Sequence, residues 1–571
     1  MANGLIAARI RMSQGGGSLP SSRQVVAALT LTTALLLVGA CDGGNKVPSK
    51  RITASTSPGR EGRRTIALAP PAKGEIDGFT WALPFEATSL DPIKSWAPPE
   101  NTILANLCES VLKLTPELRP EPGLASNIDT SDPTKVVLTV RGGVTFWDGS
   151  PMTAEDVAFS LSRNLEPKLG GYFAPFWRNV GSVAATGPSE VTITLKRPDV
   201  LFWKTLAMAG GAVSNRAYVE RQGKTYGTPK GGLMCTGPFK LGSWRPGRSV
   251  VLTRYDGYWN PDLRPKAGRV ELRAVADQAA LASALVTGEI DGTFYTPVAA
   301  IDRLEASKTG TLYRGESTLA QMLVPRLDGP LGDARIRKAL SMALDRSVIS
   351  EQVWRGAASP LSSIAPATTW GYARDVFAKA YDELGIKPTA DLEAAKALVR
   401  EAGAPTETIT VWSSAENRPA VTTVNYVADV GKELGLDMKV ETVPLQVYST
   451  WAYDPSARAK TGLFHTTWWT DVAEPLEALW PLVEPKGLSN YYGYSNPAAV
   501  QPLVKAFAEA DDTARAKLVA EAQRVMFAED MMWIPLTNVA TLTWMNKRIT
   551  GGPVGVPAAY YTPWAASVGA P

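Results

Sequence analysis

Apolar positions in the second half of the chain recur with the spacing of one helix face and alternate with short runs rich in β-branched residues. After Asp333, apolar residues at i, i+3, i+4, i+7 and i+8 predict a helix that this aspartate caps. A second predicted helix starts at Asp391 and ends at Gly403 and Pro405. The apolar face of the first helix comprises Ile336, Ala339, Leu340, Ala343 and Leu344.

From residue 409 onward the pattern predicts a β-α-β-α-β order, which is typical of a parallel sheet. Ligands of such sheets bind beyond the carboxyl ends of the strands. The last strand ends at Trp468 and Trp469, with Asp471 just beyond it, so these three residues are candidate ligand contacts. The predicted segments are strand Ile409–Trp412, helix Val421–Leu434, strand Met438–Val443, a segment around 448–453, and strand Leu463–Trp469.

The first half of the chain also mixes strands and helices, but less regularly. Thr153 and Asp156 form a predicted helix-capping pair, followed by apolar residues every four positions. Runs of β-branched residues bounded by turn signals predict four strands. These strands are Val136–Val140, Val191–Leu195, Val250–Tyr255 and Val270–Val275.

The N-terminus has the pattern of an export signal. Three arginines precede a 16-residue apolar run, Val25–Ala40, which is short for a membrane-spanning helix. The tetrapeptide 38–41, Val-Gly-Ala-Cys, resembles the bacterial lipobox, in which the cysteine is diacylated and becomes the first mature residue. We therefore predict a signal peptide at 1–40, lipidation of Cys41 and a flexible tether at 41–74. An uncleaved membrane anchor is the alternative, and Met1 and Met12 both remain possible starts.

Charge and histidine content exclude several function classes. The chain carries a formal charge of +4, and without Arg9, Arg11 and Arg23 the remainder is near neutral, which argues against a nucleic-acid partner. The one histidine, His465, lies in a predicted strand and is expected to pack in the core. A histidine-based metal site is thereby excluded, and no cofactor is expected.

Several ordered segments together resemble the peptide/nickel class of solute-binding proteins, the oligopeptide- and dipeptide-binding family of ABC transporters. The segment 146–157, FWDGSPMTAEDV, is the closest match to the family signature. Where the family has an aromatic-Glu-Gly-Leu pattern, this chain reads Cys-Glu-Ser-Val at 108–111. The other segments are SLDP at 89–92, TGPF at 236–239, GEID at 288–291, RKAL at 337–340, ALDR at 343–346 and YSNP at 494–497.

The resemblance implies an α/β fold of the type II, cluster C class, with two lobes closing on a ligand and an extra subdomain in the first lobe. It also implies an extracytoplasmic, monomeric substrate-binding lipoprotein on the outer face of the cytoplasmic membrane. Its expected partners are a short peptide or similar small solute and the permease and ATPase subunits of an importer. The expected bounds are 75–115, 116–205 (subdomain) and 206–315 for the first lobe, 316–530 for the second, and 531–571 for a return to the first.

In the resembled family, an aspartate after the last strand of the second lobe binds the ligand's α-amino group. Asp471 takes that position, with Glu474 as a substitute, and Trp468 or Trp469 flanks the ligand while the other packs in the core. Trp96 and Tyr172 fall near family positions that line the cleft. Two departures, Ser110 in place of glycine and Thr537-Asn538 in place of tyrosines, leave peptide, sugar and metal-chelate ligands open.

Two cysteines remain after the predicted lipidation, and the compartment is outside the cytosol. Cys108 and Cys235 both fall in the first lobe by resemblance, and we predict a disulfide between them, with two buried free thiols as the alternative.

Two other functions are compatible with the sequence. An exported hydrolase would use Asp471 and Glu474 as paired carboxylates, although no nucleophile and base accompany them. A sensor or envelope-assembly lipoprotein would keep the fold and lose transport.

The lipidation prediction is tested by replacing Cys41 with serine. Because serine has no thiol to acylate, the precursor should remain uncleaved at this site, as followed by mass spectrometry of the membrane fraction. Processing and membrane retention equal to those of the wild type would refute it.

Overall fold

The computed structural model describes residues 65–452, 454–487, 489–555 and 560–571. The predicted signal peptide, Cys41 and most of the predicted tether therefore lie outside the described residues. Within them the chain forms two large mixed sheets, a four-stranded sheet and a two-stranded ribbon.

The strands of the described residues are numbered in chain order. They are β1 Ile76–Leu83, β2 Leu112–Leu114, β3 Pro120–Pro122, β4 Ala125–Asp129, β5 Lys135–Val140, β6 Val180–Gly187, β7 Glu190–Leu195, β8 Phe239–Arg245, β9 Ser249–Arg254, β10 Ala267–Ala274, β11 Gly292–Thr293, β12 Gly310–Gly315, β13 Ala320–Pro325, β14 Ala358–Pro360, β15 Ile409–Ser414, β16 Met438–Val443, β17 Leu463–Trp468, β18 Ile534–Val539 and β19 Thr541–Asn546.

The α-helices of the same residues are numbered in the same way. They are α1 Pro98–Leu104, α2 Ala154–Ser162, α3 Arg216–Gln222, α4 Gln278–Thr287, α5 Ile301–Glu305, α6 Ala334–Ala343, α7 Arg346–Val348, α8 Arg374–Glu383, α9 Leu392–Ala402, α10 Arg418–Glu433, α11 Leu445–Thr450, α12 Pro455–Ala459, α13 Pro475–Val483, α14 Pro497–Ala506 and α15 Asp512–Arg524.

The first lobe is built on a seven-stranded sheet in the order β12-β19-β11-β1-β10-β9-β8. The four-stranded sheet β4-β5-β7-β6 forms its subdomain. Strand β1 lies at the centre, parallel to both β10 and β11. Its side chain Trp81 is fully buried and packs against Trp564 near the C-terminus, with 4.7 Å between ring centroids.

The second lobe is built on a six-stranded sheet in the order β14-β18-β13-β17-β15-β16. Strand β15 pairs in parallel with β16 on one side and β17 on the other. This confirms the parallel unit predicted from the β-α-β-α-β pattern. The sheet also contains β13, β14 and β18 in antiparallel pairing, which that pattern did not predict.

The chain crosses between the two large sheets twice, once between β12 and β13 and once at Ala540, between β18 and β19. The side chain of Asn538 donates to the carbonyls of Ser317 (3.0 Å) and Leu319 (2.9 Å), which ties the two crossings together. The return to the first lobe was expected at 531. It occurs instead at Ala540, because β18 forms its ladders with β13 and β14 of the second lobe.

Residues 65–74, which the sequence pattern assigns to the flexible tether, form a hydrogen-bonded arm of the first lobe. The backbone N–H of Ile66 donates to Arg314, that of Ala69 to Gly552 and that of Lys73 to Ala570. These bonds satisfy backbone groups that a flexible tether would leave to water.

Predicted helix caps are found where the sequence places them. Thr153 and Asp156 form both bonds of a capping box at the start of α2. Asp333 caps α6 and Asp391 caps α9, each through its side-chain oxygen. His465 lies on β17 with 2% of its surface exposed, and burial lowers its pKa to about 4, so the expectation of a packed core histidine is confirmed.

In the structure Cys108 and Cys235 are joined by a disulfide, with Cα atoms 5.0 Å apart. The bond lies in the apolar core of the first lobe and closes a loop with a sequence separation of 127 residues. Among the described residues, no helix is both long and apolar enough to span a bilayer. No group of three or more His, Cys, Asp or Glu in the described ranges is arranged to hold a metal ion.

The double variant Cys108→Ala, Cys235→Ala should lower the free energy of unfolding by about 2–5 kcal/mol, because the cross-link restricts the unfolded chain. Urea titration measures the change. In the wild type, a thiol reagent applied in denaturant without reductant should label neither position. Labelling of both positions would show that the protein carries free thiols.

Candidate functional site

Asp471 lies three residues beyond the end of β17, in a loop that leads into α13. The loop reaches across to the first lobe. Its residues Val472 and Ala473 pack into the apolar core of the subdomain, and the N–H of Ala473 donates to the carbonyl of Leu118 (3.1 Å). Asp471 thus lies past the carboxyl end of a strand, as the β-α-β-α-β pattern predicts. Tertiary packing brings it to the interface of the lobes.

The carboxylate of Asp471 is buried and meets a side chain from the C-terminal segment. Its Oδ1 accepts a hydrogen bond from the hydroxyl of Tyr561 at 2.8 Å. No lysine, arginine or histidine of the described residues forms an ion pair with it. Burial raises the pKa of Asp471, because a neutral hydroxyl compensates only part of the lost hydration.

A second carboxylate, Glu477 on α13, lies beside the first. Its two oxygens accept the backbone N–H groups of Asp471 and Val472, both at 3.2 Å. Burial and the negative charge of Asp471 raise the pKa of Glu477. Glu477 therefore fixes the backbone of the loop that presents Asp471.

Glu474, the substitute anchor suggested by the sequence, is already paired within the protein. It is fully buried and forms an ion pair with Lys204, a subdomain residue that is 8% exposed. The hydroxyl of Tyr372 donates to Glu474 Oε1 (2.8 Å), and the N–H of Leu476 donates to the same oxygen (3.1 Å). Glu474 thus binds the protein's own ammonium group across the lobes, which removes it as a ligand anchor in this arrangement.

Trp468 and Trp469 both line an interlobe cavity that also contains Asp471 and Glu477. Trp468 packs in addition against Trp533 in the core, with ring centroids 5.7 Å apart. Trp468 is 2% exposed and belongs to the apolar core of the second lobe, whereas Trp469, just beyond the end of β17, is half-buried.

Tyr172 and Trp96 have different surroundings. Tyr172 is close enough to Asp471 and Glu477 for their negative charges, together with burial, to raise its pKa. Trp96 is 36% exposed and is not among the residues that line the interlobe cavity. The structure thus brings Asp471, Trp468, Trp469 and Tyr172 together and leaves Trp96 apart.

Three contacts of this site were not predicted. Tyr561 is 90 positions from Asp471 in the sequence, and Lys204 is 270 positions from Glu474, so no local pattern links them. The role of Glu477 could have been predicted from the sequence. Glu474 followed by Pro475 marks a helix start, and a carboxylate in the first turn of that helix can accept hydrogen bonds from the preceding loop.

The fold and this cleft define a class of two-lobed binding proteins, and sequence comparison identifies the family. The model of the bacterial extracellular solute-binding proteins, family 5 (middle), matches residues 119–490, more than half of the chain. The chain belongs to this family of extracytoplasmic substrate-binding proteins.

The chain is also similar to individual relatives in sequence and to solved structures in fold. The glutathione-binding protein GsiB of Escherichia coli K12 is 26% identical over 473 residues, covering 81% of this chain and 89% of that protein. The substrate-binding protein CtaP of Listeria monocytogenes has a similar fold, with a TM-score of 0.76, 21% identity, and coverage of 87% of this chain and 100% of that one. The oligopeptide-binding protein AppA of Bacillus subtilis, solved with a nonapeptide, has a TM-score of 0.70, 19% identity, and coverage of 88% and 100%.

The carboxylate pair predicts the pH dependence of stability. Because both pKa values are raised above those of the unfolded chain, about 4, the folded state holds more protons and its stability should fall as pH rises above that value. Glu477→Gln should flatten this fall by up to about 1.4 kcal/mol per pH unit, the value for one proton. Urea titrations from pH 5 to 8 measure the slope.

The matched control is Glu433→Gln, since Glu433 is an exposed residue at the end of α10. Its stability curve should run parallel to that of the wild type. If the Glu477→Gln curve also runs parallel to that of the wild type, the buried pair does not control the pH dependence.

Proposed function

We propose that this chain captures a small solute with a free ammonium group, foremost a short peptide, and delivers it to the permease of an ABC importer. The ammonium binds Asp471. The supporting observation is a buried carboxylate, past the end of β17 and at the interface of the lobes, that no cationic side chain of the described residues neutralises. An ammonium group supplies the charge that would offset its desolvation.

The names of two similar proteins support a peptide-like ligand. GsiB is named for glutathione, and AppA was solved with a nonapeptide. Both ligands are peptides, and Asp471 suits the amino terminus of such a ligand. In the proposed cycle the ligand binds between open lobes, closure removes Asp471 from water, and the membrane subunits recognise the closed form.

We further propose that the protein acts as a monomer, anchored through lipidated Cys41 on the outer face of the cytoplasmic membrane. The support for the anchor is the lipobox-like segment before Cys41. As a binding protein it carries out no chemistry of its own. The hydrolase considered from the sequence would use Asp471 and Glu474 as its paired carboxylates, and Glu474 is held by Lys204. A sensor or assembly role would be indicated instead if genes for a permease and an ATPase were absent beside this one.

The test combines two changes that remove the same charge pair. Asp471→Asn keeps the shape of the side chain and loses its charge, and acetylation removes the charge of the peptide amine. Each change alone should weaken binding by about two to three decades, because it leaves one buried charge unpaired. The two together should cost little more than either one. Calorimetry on the four combinations measures this, with candidate peptides chosen from native mass spectrometry of the purified protein.

The control variant is Asp429→Asn, since Asp429 is an exposed residue of α10 that forms a surface pair with Lys432. Its affinity for the free peptide should equal that of the wild type. Equal affinity of the wild type for free and acetylated peptides would remove Asp471 from this role and would indicate a ligand without an amine.

A further inference from the structure

The N-terminal arm, residues 65–74, begins beside the crossings between the two lobes. Ile66 forms a parallel bridge with Gly315, the last residue of β12. The N–H of Ile66 donates to the carbonyl of Arg314 (2.9 Å), and the carbonyl of Ile66 accepts the N–H of Glu316 (3.2 Å). The arm thus adds one paired residue to the outer edge of β12, which is the edge strand of the seven-stranded sheet.

The next residues of the arm are fixed to the segment that follows β19. The N–H of Val554 donates to the carbonyl of Ala67 (3.0 Å), and the N–H of Ala69 donates to the carbonyl of Gly552 (3.0 Å). The backbone of Val554 in turn lies directly against β12, since a Cβ on Gly315 would overlap its carbonyl oxygen. The arm, the end of β12 and this segment therefore form one packed unit of the first lobe.

The first crossing changes its hydrogen-bond partners between Glu316 and Ser317. The N–H of Glu316 is bound by the arm. The carbonyl of Ser317 accepts the hydroxyl of Thr368 (2.8 Å) and the side-chain amide of Asn538 (3.0 Å), both from the second lobe. Two consecutive residues of this crossing are thus bound to different lobes.

The second crossing changes partners in the same way, between Ala540 and Thr541. The N–H of Ala540 donates to the carbonyl of Ala357 (2.9 Å) in the second lobe. Thr541 is the first residue of β19 and pairs with Gly315 of β12. Gly315 therefore has Ile66 on one side and Thr541 on the other, so the arm lies next to both points at which the chain leaves the first lobe.

Hinge closure is absorbed by φ and ψ changes at a few residues, and fixed neighbours limit how far those changes spread. The carbonyl of Arg314 and the N–H of Glu316 face away from β19, which lies on the other side of β12. Both groups are bound by Ile66 of the arm. Without these two bonds, the end of β12 would be held on one side only and could bend together with the crossing.

We propose that the N-terminal arm is a brace of the hinge, which holds the end of β12 in the first lobe and confines bending to the bonds 316–317 and 540–541. The inference requires that the lobes move, as in the proposed cycle, and does not require that Asp471 binds an ammonium group. The arm also leads towards the predicted lipid anchor at Cys41. The tether would then join the protein beside the hinge axis, where opening and closing displace the point of attachment least.

The test is a matched pair of proline variants in the mature protein. Ile66→Pro removes the N–H that donates to Arg314, whereas Ala67→Pro removes an N–H that has no acceptor among the described residues. Double electron–electron resonance measures the distribution of interlobe distances in each variant without ligand. The spin labels are attached at Glu220→Cys on α3 of the first lobe and at Glu433→Cys on α10 of the second, both exposed.

In Ile66→Pro, the population at interlobe distances outside the wild-type range should rise by about threefold to tenfold, the factor that corresponds to one net hydrogen bond. Ala67→Pro should reproduce the wild-type distribution, and so should Ile66→Val, which keeps the N–H. An Ile66→Pro distribution equal to that of the wild type overturns the proposal, because a bond that only stabilises the fold would not change the distances in folded molecules. Equal broadening in both proline variants also overturns it, since the lost donor would not be the cause.

Gly555→Ala is the second variant if Ile66→Pro does not fold. Its Cβ would lie 2.6 Å from the carbonyl oxygen of Glu316, so it displaces the residue that the arm holds. The control is Gly142→Ala, whose Cβ would have no atom within 4 Å. The first should broaden the interlobe distances and the second should not, and equal distributions in the two overturn the proposal. Equal affinity for free and acetylated peptides would instead refute the role of Asp471 and leave the hinge brace standing.

Discussion

Glu474 and Lys204 come from different lobes, and both are removed from water where they meet. A buried charge that loses its partner is strongly destabilising, so this pair stabilises the arrangement in which the two lobes are in contact. Tyr372 extends the contact. Its hydroxyl donates to Glu474, and the guanidinium of Arg515 lies over its ring at 4.2 Å from the centroid. The Asp471 loop begins three residues before Glu474, so its position in the cleft follows from the same pair.

The two neighbouring carboxylates of this loop have different environments. This difference gives one of them a structural role and suits the other to binding a ligand. Glu474 has a full positive charge beside it, and Asp471 has a tyrosine hydroxyl. The first arrangement is electrostatically complete. In the second, burial disfavours the negative charge, and its hydrogen-bond partner among the described residues is a neutral hydroxyl. A cleft that closes on a cation needs one group of each kind, one to hold the walls and one to receive the charge.

Regular local patterns carried most of the information that the sequence held about the fold. The capped helices α2, α6 and α9 and the parallel unit β15-β16-β17 depend on spacing within about 60 residues, and they are found as predicted. The return to the first lobe was placed at 531 because the sequence alone does not show that β18 pairs with β13 and β14 of the second lobe. The position of Asp471 followed from the strand end and the family resemblance. Its partners Tyr561 and Glu477, and the subdomain residues that line the interlobe cavity, depend on tertiary contacts that a single sequence does not encode locally.

The bond between Cys108 and Cys235 encloses the whole of the four-stranded sheet, which lies between residues 125 and 195. The subdomain is thus a covalently closed loop whose two ends are held together at the core of the first lobe. A protease that cuts one exposed turn in this loop, for example near Gly142, would leave the two fragments joined through sulfur. The nicked molecule would migrate as an intact chain on a gel without reductant and would separate into two fragments only after reduction. One cut in this loop would therefore not detach the subdomain, whose residues line one side of the interlobe cavity.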